Sequence, residues 1–520
     1  MNGAHALLDT LVGAGVDVCF ANPGTSEMHF VAALDGVPAM RPVLTLFEGV
    51  ATGAADGYAR MAGRPAAVLL HLGPGLGNGL ANLHNARRAG SGVVTVVGEH
   101  ATCHQKYDAP LQSDIAAVAG SVSAWLRTSA APADVGRDAA EAVAAARAGQ
   151  VATLVLPADV SWSEGGSTAV PAPVPDRPRA DPAALQAAAD ALRTGEPTLL
   201  LLGGDGCRAE GLAAVSRIVA ATGARMLTET FPARLERGAG VAPVGRLGYV
   251  VEHAQHQLAG TRHLILLGAR SPVAFFGYPD KPGDLVPDGC TVYEVAPQYG
   301  DAAAAAAALA DLVAGDTPPT LAAACRPELP TGPLTVASAA TVVGALLPEG
   351  AVVVDEANTS GIGLPAATAC APRHDWLTLT GGAIGYGLPA ATGAALACPD
   401  RPVWCLEADG SAMYTISALW THAREGLDVT TVVYSNSAYA ILRAELQQVG
   451  AAGFVAGDGS RARSLLDLSG PRLDFVALAT GMGVPATSVN TAEGLADALR
   501  GASAEAGPHL IEAMVPPVVS

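Results

Sequence analysis

Residues 403–443 read V-W-C-L-E-A-D-G-S-A-M-Y, then T-I-S-A-L-W-T-H-A-R-E-G, then L-D-V-T-T-V-V-Y-S-N-S-A-Y-A-I-L-R. The first piece opens on the apolar run Val403–Leu406. The third contains the β-branched run Val429–Tyr434, and between them Ile416, Leu419, Trp420 and Ala423 recur at helical spacing. This pattern predicts a strand, a helix and a second strand, parallel to the first through a right-handed crossover. Asp409 follows the first strand and Asn436 the second. Both then lie on the carboxyl edge of one sheet, where open α/β sheets bind ligands.

The atoms on that edge suit a hard divalent cation. Asp409 offers a carboxylate, Asn436 an amide oxygen and Ala438 a backbone carbonyl. Mg²⁺ takes oxygen ligands of this kind and completes its shell with water and substrate phosphates. Gly410 permits close backbone approach, and a helix expected from about Tyr414 aims N–H groups at an anion. D-G-S is also a common turn sequence, so these residues alone leave an ordinary strand-end turn open.

The unit A-D-G-S…S-N resembles the cofactor motif of thiamine-diphosphate (ThDP) enzymes, a G-D-G followed roughly thirty residues later by N-N. Ala408 replaces the first glycine and Ser435 the first asparagine. Neither position need supply a metal ligand. The resemblance implies Asp409, Asn436 and Ala438 on Mg²⁺, with Gly410, Ser411 and Tyr439 around the cofactor.

Composition bounds the rest. A chain of 520 residues exceeds one usual core. Half of it is apolar and 15% is charged, which fits compact α/β domains. The net charge of −18 opposes binding to nucleic acid or an anionic membrane. The eight cysteines form no C-x-x-C pair, so neither a zinc site nor a disulfide framework is expected, and a reducing cytoplasm suits them. No signal peptide or membrane span is expected.

In residues 1–164 the strand candidates are Val16–Ala21, Pro42–Phe47, Ala66–Leu72 and Val93–Gly98, with helical patterns between them. N-P-G-T-S-E (22–27), Glu48 and H-L-G-P-G-L-G-N (71–78) follow the first three. A glutamate at a helix start can simply answer the helix dipole. However, L-F-E-G-V-A-T-G-A-A-D-G-Y-A-R-M-A-G resembles the E-x-x-A-x-x-A-D-G-Y-A-R stretch of pyruvate-type ThDP enzymes. That resemblance implies that Glu48 hydrogen-bonds the cofactor's aminopyrimidine ring, which makes the cofactor's carbanion available. A histidine after an apolar strand is commonly structural. Here the G-P-G of residues 73–75 resembles acetolactate synthase, and His71 resembles a proton-handling histidine of benzoylformate decarboxylase. N-P-G-T resembles that enzyme's N-P-G-S, which implies a substrate-binding Thr25. Pro23 and Asn78 are expected near the cofactor, and Gln112, in K-Y-D-A-P-L-Q-S-D, near the substrate.

Residues 165–182 read as a linker. A second domain, 183–316, has strand candidates Leu199–Gly204, Arg225–Glu229, His263–Gly268 and Thr291–Val295. Its G-G-D-G lacks the G-x-G-x-x-G fingerprint. By resemblance this is a central domain that holds FAD in some acetolactate synthases and nothing in many relatives, and the missing fingerprint favours no FAD. Benzoylformate decarboxylase has a second active-site histidine near this domain's end, where this chain has Phe276.

A second linker precedes the third domain, 334–520. There Asn358 and Thr359, after the buried-type strand of A-V-V-V-D-E-A-N-T-S, are expected near the diphosphate. T-G-G-A-I-G-Y-G-L-P resembles the family's G-x-M/L-G-x-x-L-P segment. That match implies a Gly382 carbonyl on the aminopyrimidine and Ile384 as the wedge that bends the cofactor, although residues alone would make Ile384 plain core. Leu442 and Glu445, on the helix after Asn436, are expected at the substrate pocket.

The resemblance implies three doubly wound parallel-sheet α/β domains: pyrimidine-binding, central and diphosphate-binding. It implies a homodimer or homotetramer with active sites at the subunit interface. The activity implied is decarboxylation of a 2-oxo acid followed by carboligation, as in acetolactate synthase. The alternatives are a non-ligating decarboxylase or a catalytically silent ThDP-binding homologue.

Overall fold

The structure, a computed structural model, describes residues 1–449 and 460–517. Three sheets follow one another along the chain. The first contains β1 (Val18–Asn22), β2 (Arg41–Leu44), β3 (Ala66–Leu70), β4 (Val93–Glu99), β5 (Trp125–Thr128) and β6 (Val151–Pro157). Its order is β2-β1-β3-β4-β6-β5, all parallel. The second contains β7 (Thr198–Leu202) and β8 (Arg225–Thr228). After these, β9 (Arg234–Arg237) leaves for the third sheet, and β10 (Gly245–Arg246), β11 (His263–Leu267) and β12 (Thr291–Ala296) complete the second in the parallel order β10-β8-β7-β11-β12. The third contains β13 (Val352–Glu356), β14 (His374–Thr378), β15 (Val403–Ala408), β16 (Val429–Ser435), β17 (Ala486–Val489) and β18 (His509–Met514), ordered β17-β18-β16-β15-β13-β14-β9.

These are three α/β units on mainly parallel sheets. Strands β3, β4, β6, β7 and β16 are buried at every position, which is why they read as runs of apolar and β-branched residues. The 403–435 unit forms as expected, with β15 beside β16 in parallel register from Val403↔Val429 to Ala408↔Tyr434. Residues 165–181 and 317–331 carry neither helix nor strand.

Helices Glu48–Ala62 and Gly387–Ala397 join the first and third units backbone to backbone. A Cβ on Gly57 would strike the Ala390 carbonyl, and one on Gly393 the Ala54 carbonyl. Arg60 is buried in this seam. Its Nη2 pairs with Asp56 Oδ2 at 2.5 Å, and its Nη1 donates to the Thr378 carbonyl at 2.7 Å and the Tyr386 hydroxyl at 2.9 Å. Removing either partner would leave a buried charge uncompensated. The A-D-G-Y-A-R stretch is therefore largely an inter-domain joint.

Four local expectations change. His71 does not end a strand; it caps the helix Leu72–Ala89. The helical turn after β15 begins at Asp409, not near Tyr414, and spans Asp409–Ala412, with the longer helix starting at Ala418. The third sheet takes an antiparallel edge strand, β9, from the central stretch of sequence, with Arg237 opposite His374. Finally, Cys325 and Cys370, expected to be free, are joined as a disulfide with Cα atoms 5.1 Å apart. Among the described residues no helix is long and apolar enough to cross a membrane.

Candidate active site

Each sheet has a point where the strand order turns back from its first parallel strands, and that reversal leaves a crevice outside the carboxyl ends of two neighbouring strands. The switch points lie between β1 and β3, between β7 and β11, and between β13 and β15.

At the first, the 3₁₀ turn Thr25–Glu27 follows β1, and His71 follows β3. Glu27 was missed in the sequence. It is buried, and its Oε2 lies 2.8 Å from His71 Nδ1 while accepting the Gly24 N–H at 2.8 Å. The ring packs on Gly24, where a Cβ would strike it. Leu72, directly after His71, has φ +54°, a left-handed conformation that costs a branched residue of order 1–3 kcal/mol. No local sequence signal marks this pair, which forms only because β1 and β3 lie side by side. Thr25 is exposed on the same rim, next to Pro23. The Gln112 Oε1 is buried and has no hydrogen-bond partner in the chain, and the neighbouring Ser113 Oγ lies against Gly73.

Glu48 opens the helix after β2 and is buried. Its Oε2 accepts from Asn78 Nδ2 at 3.0 Å, and its Oε1 lies against Gly75, where a Cβ would come within 3.0 Å. Gly75 also faces the His71 Cβ, so Glu48, Asn78, His71 and Glu27 form one contiguous group.

At the third switch point, loops after β13, β15 and β16 converge. Asp409 is buried; its Oδ1 accepts from Gly410 N at 2.8 Å, and its Oδ2 from Asn436 N at 2.9 Å and Ser437 N at 2.6 Å. Asn436 Oδ1 accepts from Ala438 N at 2.9 Å, and its Nδ2 donates to Ser360 Oγ at 3.2 Å. Asn358 Nδ2 donates to Ser411 Oγ at 3.0 Å, with the partly buried Thr359 between Asn358 and Ser360. Tyr439 covers Gly410, where a Cβ would strike the ring. Asn358 (φ +49°) and Ser437 (φ +56°) are left-handed. With Leu72 they make half of the six non-glycine residues of this kind among the described residues, so backbone strain concentrates on the two crevices.

The second crevice is pinched at its centre, beside a cavity of about 330 Å³ lined by Asp205, Arg208, Glu236, Ala303 and Arg373. Gly203 and Gly268 meet backbone to backbone, and Asp205 Oδ1 accepts from the N–H groups of Ala302 and Ala303 at 3.0 and 3.1 Å. The helix end that could attract a phosphate is thus answered by the chain's own carboxylate.

Gly382 (φ +73°) lies beside the Phe275 ring, where a Cβ would approach to 2.8 Å. Phe275 contacts Phe231, Tyr249 and Phe276, the last half-exposed. Ile384 packs partly buried against the core beneath β13 and β15. Leu442 is exposed, and Glu445 accepts from the Tyr249 and Tyr278 hydroxyls at 3.2–3.3 Å. The tyrosines were not foreseen.

Does this arrangement fit ThDP and Mg²⁺? Burial pushes the Asp409 carboxyl above its usual range although three backbone N–H groups oppose that rise, and no described cation pairs with it. A divalent ion would supply the missing charge. No cluster of three His, Cys, Asp or Glu suited to a metal occurs among the described residues, so Asp409 would act with amide and carbonyl oxygens. The chemistry of that donor set fits.

Comparisons with known proteins bear on the ThDP part of that question. Residues 1–119 match the thiamine pyrophosphate enzyme N-terminal TPP binding domain, and residues 361–513 the C-terminal TPP binding domain. The chain is 66% identical over its whole length to a Mycobacterium tuberculosis protein, itself covered completely and provisionally named acetolactate synthase large subunit IlvX. It is 30% identical to benzoylformate decarboxylase of Pseudomonas aeruginosa, over 96% of both chains. In fold it is similar to the thiamine diphosphate-dependent 4-hydroxybenzoylformate decarboxylase of Rhodococcus jostii RHA1, with a TM-score of 0.85, 24% identity and full coverage of both chains. The chain belongs to the thiamine-diphosphate enzyme family, in the group that contains acetolactate synthase and benzoylformate decarboxylase.

Proposed function

We propose that this chain is a ThDP- and Mg²⁺-dependent decarboxylase of a 2-oxo acid, active as a homodimer or a homotetramer of two dimers. Asp409, Asn436 and Ala438 would hold the metal and Gly410, Ser411, Asn358 and Thr359 the diphosphate. What ThDP supplies when bound is a sink for the electron pair left as CO₂ departs. The observation that carries the reading is the Glu27–His71 pair beside Glu48. Glu48, steadied by Asn78, keeps a carboxylate for the aminopyrimidine ring. Glu27 holds His71 through Nδ1, which leaves Nε2 to carry a proton to or from the substrate.

Two further points support the assembly and the cofactor set. The resemblance to ThDP enzymes, whose cofactor lies between subunits, supports the assembly. The missing G-x-G-x-x-G fingerprint favours a protein without FAD.

The proton-carrying pair favours release of an aldehyde. Carboligation to a 2-hydroxyketone is the second reading, favoured by the 66% identity to the acetolactate-synthase-named relative. Incubation with ThDP, Mg²⁺ and pyruvate or benzoylformate, scoring CO₂, aldehyde and hydroxyketone, tests both. The expected result is ThDP-dependent CO₂ release with aldehyde in excess. No CO₂ from any 2-oxo acid, together with unaccelerated exchange of the cofactor's C2 proton, would leave a silent homologue.

A further inference from the structure

Glu445 is expected from the sequence at the substrate pocket, where the proposed reaction would bring an anion. It projects from the helix Ala440–Gln448, which begins just after the Asn436–Tyr439 loop. Its oxygens are fixed by two hydroxyls, Tyr249 to Oε1 at 3.3 Å and Tyr278 to Oε1 and Oε2 at 3.3 and 3.2 Å. The Tyr249 ring lies 5.1 Å from Phe275, and Phe275 is the ring that faces Gly382. One contact path therefore runs from the left-handed Gly382 backbone across two aromatic rings to the carboxylate.

Charge makes this arrangement informative. No described cation pairs with Glu445. Lys281 lies over the Tyr278 ring at 5.0 Å but is held by Glu252 at 2.5 Å. The tyrosines orient the carboxylate without neutralising it. Beside a 2-oxo acid it would repel the substrate's own carboxylate, unless the far end of the substrate carries the opposite charge. Aromatic faces next to an oriented carboxylate recognise an ammonium or guanidinium group.

We infer that Glu445, with Tyr249, Tyr278 and Phe275, selects a 2-oxo acid whose distal end is cationic. This rests on the proposed 2-oxo acid chemistry and names the substrate class for it. A purely mechanical role, tying the central unit to the helix Ala440–Gln448, would be indifferent to ligand charge.

The test uses isosteres that differ in charge alone. Calorimetry on the full-length protein with ThDP and Mg²⁺ compares 5-guanidinopentanoate with 5-ureidopentanoate; neither has a 2-oxo group to react. The guanidinium probe should bind at least about tenfold tighter. Glu445→Gln, which keeps an acceptor for both tyrosines, should bring that ratio close to one, and Tyr249→Phe should lower it partly. Equal binding of the two probes, or a preference that survives Glu445→Gln, would overturn the inference. In parallel, CO₂ release is scored with 2-oxo-5-guanidinopentanoate, 2-oxo-5-ureidopentanoate and benzoylformate. Faster turnover of the neutral acids would sink the inference and leave the proposed function standing. Release from none of them would sink both.

Discussion

Glu27 Oε2 lies 2.8 Å from His71 Nδ1, across the switch point between β1 and β3. The carboxylate is held in place because the same oxygen accepts the Gly24 N–H, and its other oxygen fills the space that Gly98 leaves by having no side chain. The imidazole is therefore oriented by a rigid group, as a proton carrier must be. We expect His71→Ala to lower kcat for aldehyde formation by about 10²-fold, within the usual range for general acid–base groups. Glu27→Gln should lower it by a smaller factor. The double variant should be no slower than His71→Ala alone, since residues that act as a unit are not additive. Additive losses would mean that the two act separately.

Glu48 tests a different step. The Asn78 amide already donates to Oε2, and Oε1 faces Gly75. Glu48→Gln preserves shape and a hydrogen bond but loses the acid. ThDP with Mg²⁺ should still raise the melting temperature of the variant. Exchange of the cofactor's C2 proton for deuterium, followed by quenched NMR, should slow by about 10²-fold or more. Wild-type exchange in the variant would remove Glu48 from the chemistry.

The sequence made the two crevices legible because parallel strands buried on both faces read as apolar runs, and residues that follow such runs fall on one edge. Asp409, Asn436, Glu48 and His71 were found that way. Other features lacked a local signal. β9 is R-L-E-R, with one buried leucine among charges, and only its partner β14 makes it a strand. Glu27 reads as an ordinary helix-start carboxylate until β1 and β3 bring it to His71. The turn at Asp409 stops after four residues, and Thr415, whose hydroxyl donates to the Gly385 carbonyl at 3.1 Å, lies in the break before Ala418. Periodicity beginning at Ile416 gave no sign of that interruption. Cys325 and Cys370 meet from separate segments, so their spacing carried no message.

Asp409 provides the metal test. Its three N–H donors hold it in place but leave a buried charge without a described cation. A ligand present at about 100 times its Kd stabilises the folded state by about 2.7 kcal/mol. In differential scanning fluorimetry, wild type should show that gain with ThDP and Mg²⁺ together, and much less with ThDP plus a chelator. Asp409→Asn should lose the Mg²⁺-dependent part. Equal Mg²⁺-dependent stabilisation in variant and wild type would place the ion elsewhere.

The last expectation concerns Glu356 and Glu407, both fully buried beneath the Gly382–Gly387 segment. Glu356 Oε1 accepts from Gly385 N at 2.8 Å and Oε2 from Gly387 N at 2.5 Å, so this carboxyl holds the backbone just after Ile384. The Glu407 carboxyl fills the space where a Cβ on Gly387 would stand, and its Oε1 has no partner. Burial pushes Glu356 up to about 7, and burial with the neighbouring Glu356 raises Glu407 well above the usual range. Two adjacent buried carboxyls cannot both ionise, so the folded protein retains a proton that the unfolded chain releases above about pH 4.3. The sign follows. The contribution of this pair to stability is complete below about pH 4.3 and declines as pH rises above it, through about 7 for Glu356. His374 and His422, each lowered to about 4 by burial, act in the opposite sense up to about pH 6.5, so the comparison must be between variants. Glu407→Gln keeps the shape and a donor toward Glu356 and removes one titrating group. Urea unfolding of the apoprotein from pH 5 to 8 should show the variant gaining on wild type as pH rises, by at most about 1.4 kcal/mol per pH unit. A difference that is flat with pH, or that falls, would mean that no proton is shared beneath the Gly385–Gly387 backbone.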